Sequence, residues 1–187
     1  MPTLLGATPE SDIADFARLW SADRGGLGFC PDELKIYPTQ LVENADLYQE
    51  WLAGRYTPYE TEELVDLIAA IKPTIPVYCR VNRVIRDIPS HHVVAGNKRT
   101  SLRQDIQRKV AENGTRCECI RCREIKGQTV EMDTLQLVDF TYSAASAEER
   151  FLQFVTPDDK LAGYLRLSLP HPNHLQTHID ELTGAAI

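Results

Sequence analysis

Four segments of the chain carry apolar residues spaced as on one face of a helix. In the third and fourth, these residues recur every three or four positions, the period of an amphipathic helix. Thr8-Pro9 opens the first segment because proline suits the first turn of a helix. Pro73 ends the third because it lacks the amide hydrogen that a helix needs. The predicted helices are 8–20, 46–56, 61–71 and 102–112.

Strand-like runs stand between and after these helices. The first two, at 34–39 and from Val77, complete the order helix, strand, helix, helix, strand, helix, which is typical of the closing half of a parallel α/β barrel or open sheet. We expect them to be parallel neighbours or near-neighbours whose exits face one cavity. After a boundary near 128–134, three further runs predict an antiparallel meander. These runs are 135–142, 149–155 and 161–169.

The composition is that of a soluble, folded protein. With 187 residues, 43% of them hydrophobic, the chain can bury a core as one domain or as pieces of two. No run approaches the roughly 18 apolar residues that a membrane helix requires. The first residues also lack the charged and apolar regions of a secretion signal. We therefore expect no membrane partner, a cytoplasmic location and reduced cysteines.

Positive charge is concentrated in residues 77–126. This stretch holds twelve Lys or Arg against five Asp or Glu, an excess of +7 in a chain whose formal net charge is -7. Such a field suits a polyanion, because phosphate contacts depend on local charge and not on the overall isoelectric point. The alternative is an ordinary solvated helix face.

The cations of this stretch fall where a strand ends and where a helix begins. Arginine suits phosphate at a strand exit because its planar fork gives two parallel charge-assisted hydrogen bonds. Backbone amides at the start of the last predicted helix add to the side chains in holding an anion. Two residues at the exit of the first strand also stand where ligand contacts are common. The candidate binding residues are Lys35, Tyr37, Arg80, Arg83, Arg86, Lys98, Arg99 and Arg103.

Three of the five cysteines form the motif CxCxxC within six residues, at Cys117, Cys119 and Cys122. Four thiolates complete a closed tetrahedral zinc site, and sites of this kind are nearly always structural. Cys79 is the nearest further candidate, so we predict zinc held by these four residues. The alternatives are free thiols, a disulfide, which a chain without a secretion signal disfavours, and an iron–sulfur cluster, which the CxC spacing suits poorly.

The histidines allow a second interpretation. A pair at His91-His92 after a strand permits a small α/β enzyme in which Lys35, Tyr37 and one of these histidines do acid–base work. No partnered carboxylate or nucleophile spacing supports it. Three further histidines stand in a Pro-Asn setting that favours surface residues over metal ligands. They are His171, His174 and His178.

Five ordered stretches resemble a known family. They are KIYPT at 35–39, WLAGRY at 51–56, RVNRVIRDIP at 80–89, AGNKRTSLRQ at 95–104 and CECIRCRE at 117–124. They are distributed over residues 35–124 and together resemble the catalytic subunit of Elongator in its prokaryotic form. That family joins a radical S-adenosylmethionine barrel to a GNAT-type acetyltransferase domain. It modifies the wobble uridine of tRNA and takes the added carboxymethyl group from acetyl-CoA.

The resemblance implies three parts in this chain. Residues 1–115 correspond to the C-terminal part of a radical SAM-type parallel α/β barrel and 116–130 to a zinc-bound joint. Residues 131–187 correspond to the first antiparallel strands of a GNAT-like acetyltransferase domain. The whole family member uses a [4Fe-4S] cluster, S-adenosylmethionine and acetyl-CoA. Because neither a CxxxCxxC-like triad nor a Gly-rich acetyl-CoA loop occurs in this sequence, we expect an internal fragment that is inactive by itself.

The resemblance also implies the anticodon stem-loop of tRNA as the ligand of the basic stretch. A single-stranded loop must be splayed for chemistry on the wobble base, and its phosphates then need fixed cations near the barrel mouth. Tyr37 is placed to stack on a base. Arg83 and Arg86 have an alternative role inside the barrel, paired with Asp87 or Asp105.

The implied function is therefore part of a tRNA uridine(34) acetyltransferase. This segment would contribute tRNA binding, a domain joint and structural zinc, with the remaining parts of the same enzyme as partners. Whether the enzyme forms a homodimer is left open by the sequence. The alternative is a stand-alone zinc-stabilised module that binds tRNA without catalysis.

Overall fold

A pair of helices and two small sheets carry the fold. The computed structural model describes residues 2–20, 28–85, 88–144 and 147–170. The chain divides into two units, Met1–Cys122 and Arg123–Ile187. The mixed α/β class predicted from the sequence is confirmed, and the three-part division with bounds at 115 and 130 stays a prediction.

The helices of the chain follow the predicted segments. Two of them coincide with 61–71 and 102–112, and the first two are shorter than predicted. Gly54 explains one early end, because its φ of 70° is left-handed and stops a helix. From Pro9 to Arg123 the elements are α1 Pro9–Ala17, β1 Glu33–Lys35, α2 Leu47–Leu52, α3 Thr61–Ile71, β2 Arg80–Arg83, α4 Leu102–Glu112 and α5 Ile120–Arg123.

Helices α3 and α4 pack against each other and form the core of the first unit. α3 begins at a reciprocal cap, in which Glu60 and Glu63 each accept a hydrogen bond from the other's backbone amide. Both helices bury the faces that their apolar spacing predicts, and each buried aliphatic side chain contributes about 1.5–3 kcal/mol. The buried residues are Leu64, Leu67, Ile68, Ala69 and Ile71 on α3 and Leu102, Ile106 and Val110 on α4.

Strands β1 and β2 pair in parallel, as predicted. Glu33 stands opposite Arg80, and a bulge after Leu34 brings Lys35 opposite Arg83. The amide of Ile36 then donates to the carbonyl of Arg83 at 2.9 Å. The carboxyl ends of both strands therefore lie side by side.

The second unit contains the predicted antiparallel meander. Its order is β3 Gln136–Ser143, β4 Ala147–Val155 and β5 Leu161–Pro170. On β4, Phe151 is fully buried, its ring 5.2 Å from that of Tyr164 and under the guanidinium of Arg166 at 5.5 Å. Along the last part of β4, every second residue is buried, as the alternation of apolar and polar residues in a half-buried strand predicts.

Several predicted residues fall outside the described part of the chain. They are Arg86, Asp87, His171, His174 and His178. His91 and His92 are described and exposed, on a single 3-10 turn at Ser90–His92. Among the described residues, no helix has both the length and the apolar character needed to cross a membrane.

Candidate metal centre and basic surface

Three thiols meet at the end of the first unit. The sulfur atoms of Cys117, Cys119 and Cys122 all lie within 4.8 Å of one another. Cys119 is fully buried, and the other two are partly exposed. Zinc–sulfur bonds of about 2.3 Å at tetrahedral angles place sulfurs roughly 3.8 Å apart, so this group fits a zinc ion.

Local backbone hydrogen bonds hold the thiols together. The amide of Cys122 donates to the carbonyl of Cys119 at 2.9 Å, which tightens the turn that begins α5. The amide of Ile120 donates to the carbonyl of Cys79 at 3.0 Å and fixes the turn to the start of β2. CxCxxC therefore acts as a compact loop anchored on the parallel sheet.

Cys79 is buried beside this loop but is not a member of the group of clustered thiols. Its backbone carbonyl accepts the hydrogen bond from the Ile120 amide of the loop. Cys79 as the fourth zinc ligand stays a prediction.

The buried Lys72 contacts the cluster. Its ammonium nitrogen lies 3.5 Å from Cys122 Sγ and 3.9 Å from Cys119 Sγ. Sequence reasoning missed this residue. A signal was present, because Leu64, Ile68 and Lys72 are four residues apart and so continue one buried stripe of α3.

The electrostatics of the site favour a thiolate at Cys119. Hydrogen bonds from Cys117 and Cys122, together with the charge of Lys72, lower the pKa of the Cys119 thiol. Burial opposes the charge on Lys72, but the three sulfurs together outweigh it and raise its pKa. Burial and the nearby Arg121 lower the pKa of Arg103, and the cysteines oppose that shift. The cluster thus sits among cations, as an anionic metal site would.

Many cations of the basic stretch have acidic partners. Arg99 lies 3.5 Å from Glu62 and 3.7 Å from Asp105, and Arg108 lies 3.6 Å from the same aspartate. Arg99 thus bridges Glu62 on α3 and Asp105 on α4, whereas Arg108 and Asp105 pair within α4. Part of the charge counted in the sequence is therefore neutralised on the helix surface. Exposed pairs of this kind contribute little to stability.

Arg103 binds the backbone of a neighbouring strand. Its guanidinium donates to the carbonyls of Val81 at 3.1 Å and Asn82 at 3.0 Å, and thereby ties α4 to β2. Its Nη1 is buried and has no hydrogen-bond partner among the described residues. Arg103 as a tRNA contact stays a prediction, and so does Arg80, whose Nε donates to Asn82 at 2.9 Å.

The remaining predicted residues gather at the carboxyl ends of β1 and β2. Lys35 and Arg83 end the two strands and are exposed, and Tyr37 follows at partial exposure. Within the described residues, Lys35, Tyr37 and the exposed Lys98 make no side-chain hydrogen bond or ion pair. Their polar atoms are available to a ligand.

Gly96 holds the Lys98 loop against the chain that leaves β1. The loop pairs with that chain through the bridge between Leu41 and Ala95, and Gln40 donates to the carbonyl of Asn97 at 2.8 Å. A Cβ atom at Gly96 would stand 3.1 Å from the carbonyl oxygen of Thr39, at a φ of 99°. Only glycine adopts this backbone without strain.

We expect Gly96→Ala to destabilise the first unit by about 1–2 kcal/mol, because alanine adds left-handed strain and a close contact. Denaturant unfolding of the complete chain measures the change. Two controls separate the causes. Gly54→Ala has left-handed strain with nothing within 4 Å, and Gly163→Ala has neither strain nor contact. A Gly96→Ala chain as stable as Gly163→Ala would contradict this role.

Comparison with known proteins finds relatives that match most of the chain. Residues 31–112 match the Radical_SAM C-terminal domain. Over 175 residues the chain is 43% identical to the tRNA uridine(34) acetyltransferase of Dehalococcoides mccartyi (strain CBDB1). This alignment covers 91% of this chain and 37% of that relative. The chain is thus similar over most of its length to proteins named tRNA uridine(34) acetyltransferase and Elongator complex protein 3. The resemblance carried by the five sequence motifs is thus confirmed.

Two further relatives show the same similarity. The chain is 36% identical over 172 residues to Elongator complex protein 3 of Homo sapiens, a match over 89% of this chain and 31% of that protein. A solved structure, the archaeal Methanocaldococcus infernus Elp3 with an N-terminal deletion (1–46), superposes with a TM-score of 0.84 at 34% identity and covers 91% of this chain and 41% of that chain. The chain spans about a third of the length of these curated relatives.

Proposed function

We propose that this chain is the part of a tRNA uridine(34) acetyltransferase that binds the anticodon stem-loop and joins two catalytic domains through a zinc-bound loop. In this proposal the first unit belongs to a radical SAM-type barrel and the meander to a GNAT-like domain. The single observation that carries it is the gathering of Lys35, Tyr37, Arg83 and the Lys98 loop at one end of the parallel sheet. In parallel α/β folds, ligands bind at that end.

The residues at the strand ends match the chemistry of a splayed RNA loop. Unpaired lysines and an exposed arginine give cations for phosphates, and Tyr37 offers a ring on which an unstacked base can lie. Single-stranded loops are the usual target of specific RNA recognition because their bases are accessible. The acid-paired cations of α4 contribute less, because their carboxylate partners would repel phosphate.

Zinc is proposed at Cys117, Cys119 and Cys122, where it would hold the loop that links the units. The group fits because three thiols lie within 4.8 Å of one another and one of them is buried. Structural zinc sites supply folding energy and take no part in the reaction.

The proposed reaction belongs to the whole enzyme. There, S-adenosylmethionine and a [4Fe-4S] cluster supply radical chemistry, and acetyl-CoA supplies the carbon unit added to uridine(34). This sequence holds no CxxxCxxC-like triad, so its residues do not fit the iron–sulfur cluster. The role proposed for this chain is to bind and orient the tRNA.

We expect Lys35→Glu and Lys98→Glu to weaken tRNA binding and to flatten its salt dependence. Each phosphate contact that is lost lowers the slope of log affinity against log salt by roughly 0.7–0.9 units. Titration of tRNA against the complete chain across a salt series measures this slope. Lys126→Glu makes the same charge change at an exposed lysine of the second unit and should leave the slope unchanged.

Tyr37→Ala separates stacking from charge in the same titration. We expect a loss of about 1–3 kcal/mol in binding free energy, the value of one stacked base, with an unaltered salt slope. If both lysine variants keep wild-type affinity and slope, this end of the sheet is not the tRNA surface. If the lysine variants respond equally to a DNA duplex, the surface binds polyanions without preference for a splayed loop.

A further inference from the structure

Lys72 is a charged side chain in an apolar place. It follows α3 directly, opens a single 3-10 turn at Lys72–Thr74, and is only 2% exposed. Its nitrogen is aimed at the sulfurs of Cys119 and Cys122, at 3.9 and 3.5 Å. α3 therefore delivers a cation to the clustered thiols from a residue 45 positions or more earlier in the chain.

No carboxylate balances this cation within the described residues, where the hydrogen-bond partners of its ammonium are sulfur atoms. A buried charge is costly unless it is paired and hydrogen-bonded. Neutral thiols would not compensate it. The counter-charge has to come from thiolate, which is also the form that binds a metal.

The ammonium of Lys72 also offsets the negative charge of a metal-loaded site. Three thiolates around one Zn²⁺ carry a net charge of −1, and a fourth thiolate from Cys79 would make it −2. Lys72 supplies a positive charge at hydrogen-bond distance from the sulfurs, and Arg103 is a second cation near them. An uncompensated anionic site at this depth would resemble a buried unpaired ion. Hydrogen bonds from a cation to a thiolate also draw electron density from sulfur, which makes the sulfur a weaker nucleophile.

We propose that the Lys72 ammonium is the charge partner of the zinc thiolates: it donates N–H···S hydrogen bonds to Cys119 and Cys122, tightens zinc binding and protects these sulfurs from electrophiles. This role rests on the proposed zinc site. Lys72 is a positioning residue and not a ligand. Partners of metal ligands typically change metal affinity by roughly 10–100-fold when they are replaced.

The competing arrangement is a neutral Lys72 amine bound to zinc itself. In a tetrahedral site with one nitrogen and three sulfur ligands, the nitrogen stands about 3.6 Å from each sulfur, close to the distances seen. Arginine distinguishes the two arrangements. It keeps a positive charge and N–H donors, but it is not deprotonated in proteins and so does not act as the amine ligand.

The test compares the complete chain with Lys72→Met, Lys72→Arg and the control Lys109→Met. Lys109 is a lysine of the same unit whose ammonium pairs with Asp66 at 2.7 Å, away from the thiols. Zinc affinity is measured by competition with a chromophoric chelator, and sulfur reactivity by the rate at which N-ethylmaleimide alkylates the zinc-loaded chain. A structural defect alone would not raise the reactivity of a chain that stays folded and zinc-loaded.

We expect Lys72→Met to weaken zinc binding about 10–100-fold and to speed alkylation, with Lys72→Arg close to wild type and Lys109→Met unchanged. Wild-type affinity and alkylation in folded Lys72→Met would overturn the role of Lys72. Folded Lys72→Arg that behaves like Lys72→Met would also overturn it, in favour of the amine ligand.

A second measurement needs no variant. In zinc-loaded, ¹⁵N-lysine-labelled wild type, the Lys72 side-chain nitrogen should give an ammonium signal with three attached protons, whereas a metal-bound amine with two would overturn the proposal. A wild-type chain with less than one zinc equivalent, purified under reducing conditions, would overturn the zinc assignment itself. That outcome differs from a chain that binds zinc but keeps its zinc affinity and alkylation rate when Lys72 is replaced, which overturns the role of Lys72 alone.

Discussion

A Cys119→Ser chain is expected to lose its zinc and to unfold at a markedly lower temperature. Cys119 is the fully buried member of the cluster, and serine is a poor zinc ligand whose hydroxyl would stay buried without the metal. Binding at structural zinc sites amounts to about 10 kcal/mol or more in free energy, and much of it stabilises the fold. The loop 117–122 and its anchor on β2 should loosen together.

Metal analysis and thermal unfolding, each with and without a chelator, measure this loss. Cys30→Ser is the matched control, because Cys30 is described and lies outside the clustered thiols. Its sulfur donates to the carbonyl of Trp20 at 3.9 Å, a long and weak contact whose loss in Cys30→Ser costs little. One zinc equivalent and an unchanged transition in Cys119→Ser would disprove the assignment, whatever Cys30→Ser does.

Replacing Arg123 with methionine is expected to destabilise the second unit by about 2–3 kcal/mol. The guanidinium is buried and donates to Gln153 Oε1 at 2.6 Å and to the Asp159 carbonyl at 3.2 Å. It also pairs with the Asp159 carboxylate at 3.2 Å. Methionine would leave the buried Gln153 amide without its donor, whereas the more exposed aspartate can turn to water.

Hydrogen exchange of β4 and β5 amides in the complete chain reports this loss locally. Arg150→Met is the control, because Arg150 pairs with Asp139 at the surface of the same sheet and such pairs contribute below about 1 kcal/mol. Arg123→Met combined with Gln153→Met should recover part of the stability, since neither polar partner is then buried alone. Equal exchange in Arg123→Met and Arg150→Met would refute the buried role of Arg123.

The thiol cluster and the basic surface were predictable to different degrees. Cys117, Cys119 and Cys122 are neighbours in the sequence, and the turn from Cys119 to Cys122 brings their sulfurs together. The charge of residues 77–126 was visible as a count, but the count did not distinguish unpaired Lys98 from Arg99, which has acidic partners. Pairing across helices depends on which faces meet, and composition carries no information on that.

By itself, the sequence determined the elements whose signal is periodic and local. α3 and α4 have their predicted bounds, and the meander lies within about two residues of the predicted runs, because burial of one face fixes the spacing of apolar residues. The tertiary structure alone decided that Lys72 points at the thiols, that Arg103 ties α4 to β2, and that Gly96 meets Thr39. These contacts join residues about 20 to 60 positions apart, and only the packing of α3, α4 and the parallel strands brings such residues together.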